Sequence, residues 1–444
     1  MPTLLETPPF DLADALNQGC FCQTLDAQRL RAQLEHDPSL GGMAESIAQT
    51  RPHLFSSTVV FLSNPTVQAI TDTVAAIERV MALPAWHTQA LADAAPIAQT
   101  DHGPVGVFMG YDFHIGADGP RLIEINTNAG GAMLNAALAR AQTACCKAMD
   151  VPLNAYPKLE SLEDDFFAMF QSEWRLQRGE QALRTVAIVD DDPANQYLAP
   201  EFEMVRQMFS QRGVQALIAD AAQLEWRDGA LWHGSTAIDL VYNRVTDFDL
   251  SEGSHAALAS AYASGAVVLT PHPRAHALRA DKRHLVSLGH LPTLQALGVS
   301  EADQRMLQTS IPACEVVTPD QADALWERRR QLFFKPRSGF GARAVYRGDK
   351  LTRKVWEQIV AGDYIAQALV PPSLRAMEIG DTQTELKFDI RAYTYAGQLQ
   401  LLAARTYSGQ TTNFRTQGGG FAPVLRVPGQ SDIKKWLAPS GCAC

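Results

Sequence analysis

The chain has 444 residues, 46% of them hydrophobic and 19% charged, with a formal net charge of −10. That length calls for two or three packed units, and the composition excludes a disordered chain. The acidic balance excludes a general nucleic-acid binder, and no run approaches the roughly 20 apolar residues of a membrane span.

The first residues, MPTLLETPPFDLADALNQ, carry an early Glu and three prolines without a basic segment, so no signal peptide is expected. Seven cysteines fall as Cys20/Cys22, Cys145/Cys146, Cys442/Cys444 and Cys314, without C-x-x-C spacing. They predict reduced thiols and a cytoplasmic location. TVVFLSNPTVQAITDTVAAIERVMALP predicts a strand, a turn and a helix with Val67, Ile70, Val74, Ile77 and Met81 on one face. Next comes GYDFHIGADGPRLIEINTNAGG. Its alternation puts Glu124 and Asn126 on one strand face, Asp112 stands twelve positions before Glu124, and the strand breaks into small residues. Taken alone, three oxygen donors at this spacing are equally a β-hairpin with polar ends. GAMLNAALARAQTACC predicts a helix. A first unit is therefore expected at 1–180, helical at its start, with the acidic segment at 106–150.

A second unit, 181–280, alternates strands (RTVAIVDDD, VQALIAD, AIDLVYNR, AVVLTP) with helices (APEFEMVRQMFSQRG, SHAALASAYASG) and carries a hairpin-like LEWRDGALWHG. This is the pattern of a Rossmann-like parallel α/β layer. Its ligand-facing loops are expected at Asp190–Gln196 and Asn243–Asp247. Asp190, Asp191 and Asp192 either bind an amine or cap a helix. Arg244 and Arg274 either bind a carboxylate or pair at the surface.

The third unit, 281–444, begins with a helix in RADKRHLVSLGHL, continues as strand–loop–strand in QLFFKPRSGFGARAVYRG, and closes a strand with prolines in DYIAQALVPP. TELKFDIRAYTYAGQLQLLAARTYS predicts a long antiparallel pair turning at AGQ. Arg328 to Lys354 holds ten basic residues and one acid, Asp349, which points to a local anion site. Within it Lys335 ends an apolar strand, and Ser338, Gly339, Phe340, Gly341 and Ala342 form a small-residue loop whose amides suit phosphate oxygens. S-G-F-G alone reads first as a tight hairpin, and it is not a Walker loop. Gln367, Ala368, Leu369 and Val370 offer backbone groups to an adenine edge. Lys387, Asp389 and Arg391 alternate on one strand face, followed by Arg405, Asn413 and Arg415. Such a set would neutralise a polyphosphate.

These residues resemble the ATP-grasp superfamily. FFKPRSGFGARAV, DYIAQALV and KFDIRAYTYAGQ…RTYSGQTTNFRTQGGG are similar to nucleotide-binding strands of ribosomal-protein glutamate ligases and tubulin–tyrosine ligase. In those chains the E-x-N strand follows the arginine segment; here Asp112, Glu124 and Asn126 precede it, in an order that resembles glutathionylspermidine synthetase. The resemblance implies an α/β fold, a circularly permuted ATP-grasp module with a preceding Rossmann-like domain. It implies ATP as cosubstrate and Mg²⁺, two ions with Mn²⁺ as an alternative, on Asp112, Glu124 and Asn126. Lys282 would be the upstream nucleotide lysine. Gly110 departs from glutathionylspermidine synthetase, which has an arginine at the matching place; either Arg391 or Arg405 takes over its phosphate role, or the carboxylate substrate differs.

The resemblance thus implies an ATP-dependent carboxylate–amine ligase acting through an acylphosphate, with Arg391, Arg405 and Asn413 on the γ-phosphate. Small-molecule or peptide acids and amines are the expected partners, without nucleic acid or membrane, and a homodimer is the expected assembly. An ATP-grasp phosphotransferase and a non-catalytic nucleotide-binding protein are the alternatives.

Overall fold

The computed structural model describes residues 11–143, 159–339 and 344–429. Phe340, Gly341 and Ala342 of the expected phosphate loop lie outside the described residues, as do Cys145, Cys146, Cys442 and Cys444.

A seven-stranded sheet organises the site. It takes β1 (Val60–Ser63), β2 (Met109–Gly116) and β3 (Gly119–Asn126) from the front of the chain, and β15 (Ser373–Ile379), β16 (Thr382–Tyr395), β17 (Gln398–Tyr407) and β18 (Gly420–Val427) from the back. The order is β1-β18-β17-β16-β2-β3, with β15 also on β16. Segments expected in separate units, 1–180 and 281–444, therefore share one hydrogen-bonded sheet. The β16–β17 pair turns at Ala396 and Gly397, with φ of 46° and 76°, the paired positive values that a two-residue hairpin needs.

Each face of this sheet is covered by a helix. On one face lies Asn64–Met81, started by Ser63 accepting from the Thr66 amide. Its predicted stripe is buried against Tyr111, Phe113, Phe388 and Ile390. On the other lies Ala132–Arg140, packed with Tyr393, Leu401, Ala403 and Phe421. Glu201 caps this second helix, accepting from the Gly131 and Met133 amides at 2.7 and 3.0 Å. A carboxylate at a helix start is favourable, and here it ties two parts of the chain together.

Glu201 stands on Ala199–Gln211, a helix of the parallel sheet β10-β9-β4-β5. That sheet comprises β4 (Thr185–Asp190), β5 (Gln215–Asp220), β9 (Leu240–Asn243) and β10 (Val268–Thr270). Beside it stands a meander of β6 (Leu224–Arg227), β7 (Ala230–His233) and β8 (Thr236–Ile238). The strand expected over AIDLVYNR is split at Asp239. Its carboxylate accepts from the Arg184 and Thr185 amides, so the first half joins the meander and the second the parallel sheet. A four-stranded antiparallel sheet, β11-β14-β12-β13, forms the remaining lobe, from β11 (Cys314–Val316), β12 (Leu332–Pro336), β13 (Tyr346–Arg347) and β14 (Tyr364–Ala368). Among the described residues no helix is long and apolar enough to cross a membrane.

Candidate active site

Strand register builds a row of charge across the large sheet. Glu124 on β3 lies opposite Asp112 on β2, and Asp112 opposite Arg391 on β16. Opposed residues share a sheet face. Asn126 lies on the same face opposite Gly110, and Arg405 on β17 opposite Asp389.

Asp112 is wholly buried. Its Oδ1 accepts from Arg391 Nε at 2.7 Å. Its Oδ2 accepts from Arg391 Nη2 at 2.7 Å, Arg405 Nη2 at 2.8 Å and Asn126 Nδ2 at 3.2 Å. These four bonds fill a carboxylate. Burial pushes the Asp112 pKa up, but Arg391 and Arg405 outweigh it and hold the carboxyl well below the usual range. Asp389, expected against the nucleotide, is instead buried under the cavity wall. It takes Arg405 Nε at 2.6 Å and the Thr412 hydroxyl, so it anchors Arg405.

Glu124 keeps 29% of its side chain exposed, with Lys282 Nζ 3.2 Å from Oε1. Lys282 also donates to the Gly339 carbonyl at 3.0 Å. Lys335 donates to the Ile123 carbonyl at 2.7 Å; burial lowers its pKa, and Glu124 works the other way. Both lysines border one cavity of about 1020 Å³, together with Asp112, Glu124, Asn126, Arg391 and Arg405, large enough for a nucleotide and a second molecule.

The same cavity reaches Gln367, Ala368, Leu369 and Val370. The Ala368 and Leu369 amides already donate to Ala313 and Gln331 carbonyls, and the Val370 carbonyl accepts from His114. Gln367 Nε2 is buried with no acceptor, an orphan donor that a base edge would satisfy. Ser338 is exposed, Gly339 lines the cavity at φ 154°, and Lys387 donates to the Gly409 carbonyl. Asn413 borders the cavity, but its amide is spent inside its own loop. It donates to Ser408 and Thr411 carbonyls and accepts from the Arg415 amide and Thr416 hydroxyl, and so shapes the loop that presents Arg415.

The basic window disperses. Arg328 pairs with Glu315 and Arg337 with Asp281. Arg329 and Arg353 sandwich Trp326 at 3.9 and 4.0 Å, a cation–π arrangement. Of its described members, Lys335 and Arg347 border the cavity.

Among the described residues no three His, Cys, Asp or Glu side chains converge on a metal position. The candidate donors are the Glu124 carboxylate, the Asn126 amide oxygen and Asp112, hard oxygens of the kind Mg²⁺ takes. Glu124 and Asn126 fit as they stand. Asp112 fits once Arg391 and Arg405 turn to another anion.

Sequence reasoning missed a second set of lining residues. Tyr197 stacks on Phe414 at 5.3 Å and Phe248 on His276 at 3.8 Å, and all four border the cavity. Burial pushes the His276 pKa down to about 3, so it is neutral. The sequence signal for Tyr197 and Phe248 was their place directly after the expected loops Asp190–Gln196 and Asn243–Asp247; His276 had none.

No family model matches the chain, and no curated protein matches it. Solved structures do. A glutathione-synthetase-like effector of Globodera pallida, in apo form, is similar at 10% identity and a TM-score of 0.52, over 90% of this chain and 98% of that one. A putative γ-glutamylcysteine synthetase of Methylobacillus flagellatus KT is 10% identical at a TM-score of 0.44, over 80% and 86%. The ATP-grasp ligase PsnB, solved with minimal precursor, Mg and ADP, is 14% identical at 0.29, over 54% and 88%. The likeness to the effector shows a glutathione-synthetase-like fold.

Proposed function

We propose that the protein is an ATP-dependent carboxylate–amine ligase on a circularly permuted ATP-grasp module. The observation that supports this best is the Glu124–Asp112–Arg391 row, brought by strand register into one cavity with Lys282, Lys335 and Arg405. The resemblance to ligases of this fold supplies the reaction class, and the row supplies the chemistry.

A substrate carboxylate oxygen attacks the γ-phosphorus, ADP leaves, and an acylphosphate forms. The amine nitrogen then attacks the acyl carbon; phosphate leaves, the nitrogen loses a proton, and an amide remains. Phosphoryl transfer asks mainly for positioning and charge neutralisation. Arg391 and Arg405 stand partly buried beside Asp112 and bonded to it, and on nucleotide entry they exchange that carboxylate for phosphate oxygens. Glu124, Asn126 and the released Asp112 would hold Mg²⁺, or Mn²⁺, which neutralises phosphate charge there. Lys282 and Lys335 take the remaining phosphates, Gln367 meets the base, and Asn413 positions its loop. Gly339, at the cavity edge, helps exclude water from the acylphosphate.

The test is ADP release from Mg²⁺–ATP against pooled acids and amines. ADP that requires both an acid and an amine, and is lost in Glu124→Gln with the fold intact, supports the ligase. ADP released with water alone, or no nucleotide binding, overturns it.

A further inference from the structure

The cavity has a second polar region, at the C-terminal ends of β4 and β9. There the parallel sheet presents Asp190 and Arg244, both bordering the cavity and only 7% and 8% exposed. Of the groups that suggested amine or carboxylate binding, these two stay open. Asp191 is bonded to His255 at 2.8 Å, Asp192 to Asn195 at 2.8 Å, and Arg274 to Asp101 at 3.2 Å.

Arg244 spends Nη1 on Asn128 and Tyr242. Its Nε is buried without an acceptor, and among the described residues Nη2 has none either. Asp190 accepts one bond, from the Asp191 amide to Oδ1 at 2.9 Å; Oδ2 has no protein donor among the described residues. Asp190 and Glu201 both bear electrostatically on Arg244, yet neither reaches it as an ion pair among the described residues. Opposite charges buried near one another with open valences on both cost desolvation that no contact returns. A ligand supplying the missing partners would return it.

We propose that Arg244 and Asp190 form a head-group site for a free α-amino acid, Arg244 taking the carboxylate and Asp190 the ammonium. The inference rests on the ligase reading for the bond-forming half of the cavity and adds the substrate class. With both α-groups held, the bond forms through the amino acid's side chain. The local build agrees. Gly130 lies between the two regions: a Cβ there would sit 2.7 Å from Arg244 Nη2, while its carbonyl accepts from Tyr393 OH at 2.8 Å, two positions along β16 from Arg391. Tyr197 and Leu198 border the same stretch and give the side chain an apolar wall. Burial pushes the Asp190 carboxyl up to about 6, the state of a carboxylate awaiting a cation.

The test is calorimetry on the full chain with Mg²⁺ and a non-hydrolysable ATP analogue, titrating the free amino acids and then the best binder capped as N-acetyl or α-amide. The expected result is binding of one free amino acid, weakened on the order of a hundredfold by either cap. Asp190→Asn should weaken the free amino acid about tenfold or more, shrink the penalty of N-acetylation, and move analogue affinity less than about twofold. Arg244→Lys should do the same for the amide cap. Equal binding of free and capped forms, or no amino-acid binding to a protein that binds the analogue, overturns the site. Binding of a free amino acid with no ADP formed from ATP when that amino acid is offered with the pooled acids and amines would support the site and sink the ligase reading, so the two failures are distinct.

Discussion

Two adjacent glycines offer a sharp contrast. Gly131 has φ 99°, and a Cβ on it would lie 2.4 Å from Phe421 Cζ and 3.0 Å from both Cε atoms. Phe421 is 2% exposed and packs edge-on to Phe414 at 4.8 Å, so its ring has nowhere to go. Gly131→Ala should therefore cost about 1–2 kcal/mol for a left-handed alanine and about 1–3 kcal/mol for overpacking, about 2–5 kcal/mol together. At Gly130 the clashing atoms are Leu198 Cδ1 at 2.5 Å and Arg244 Nη2 at 2.7 Å, the ends of flexible side chains. Gly130→Ala should cost less than about 1 kcal/mol in stability but displace Arg244 and weaken substrate about tenfold. Urea unfolding midpoints and substrate titration measure the two effects. Equal stability loss in both variants, or an unperturbed midpoint in Gly131→Ala, would refute the reasoning.

Asp112→Asn strands the largely buried Arg391 and leaves Arg405 with Asp389 alone, and should cost about 3–5 kcal/mol at neutral pH. Because the Asp112 pKa is depressed in the fold, its contribution is present above about pH 4 and lost as pH falls, so the gap to the parent should narrow in acid unfolding curves. His255, unexposed at its side chain, bonds Asp191 and Asp247 at 2.8 Å each. Burial opposes its protonation, but the two carboxylates raise its pKa above 6.5. Its stabilisation is full below 6.5 and fades as pH rises through the folded value, so His255→Gln should lower stability by about 2 kcal/mol near pH 6 and by progressively less as pH rises further. Lys282→Met removes the cation beside Glu124 and should raise the KM for ATP about tenfold or more, measured by ADP release; an unchanged KM would contradict its nucleotide role.

Local chemistry was legible in the sequence. The helical stripe from Val67 to Met81, the AGQ turn and the alternation of Lys387, Asp389 and Arg391 are periodicities of 3.6 and 2 that neighbours read directly. The partner of a charge was not. Asp112 meets Arg391 across 279 residues, and only the β2–β16 register makes that contact, so a carboxylate expected on metal is found saturated by arginine. The basic window misled for the same reason: its charges look shared until Trp326, Glu315 and Asp281 claim them. Arg244 could be read as a surface pair because nothing local announces that a lone arginine will be buried. The joining of β1 to β18, from opposite ends of the chain, has no local signal either.

The central claim is the acylphosphate, and oxygen tracing tests it most directly. With the acid substrate ¹⁸O-labelled in its carboxylate and an amine present, attack on the γ-phosphorus puts one labelled oxygen into released phosphate, beside ADP. That is the predicted result. Label absent from phosphate, or release of AMP and pyrophosphate, would contradict the account.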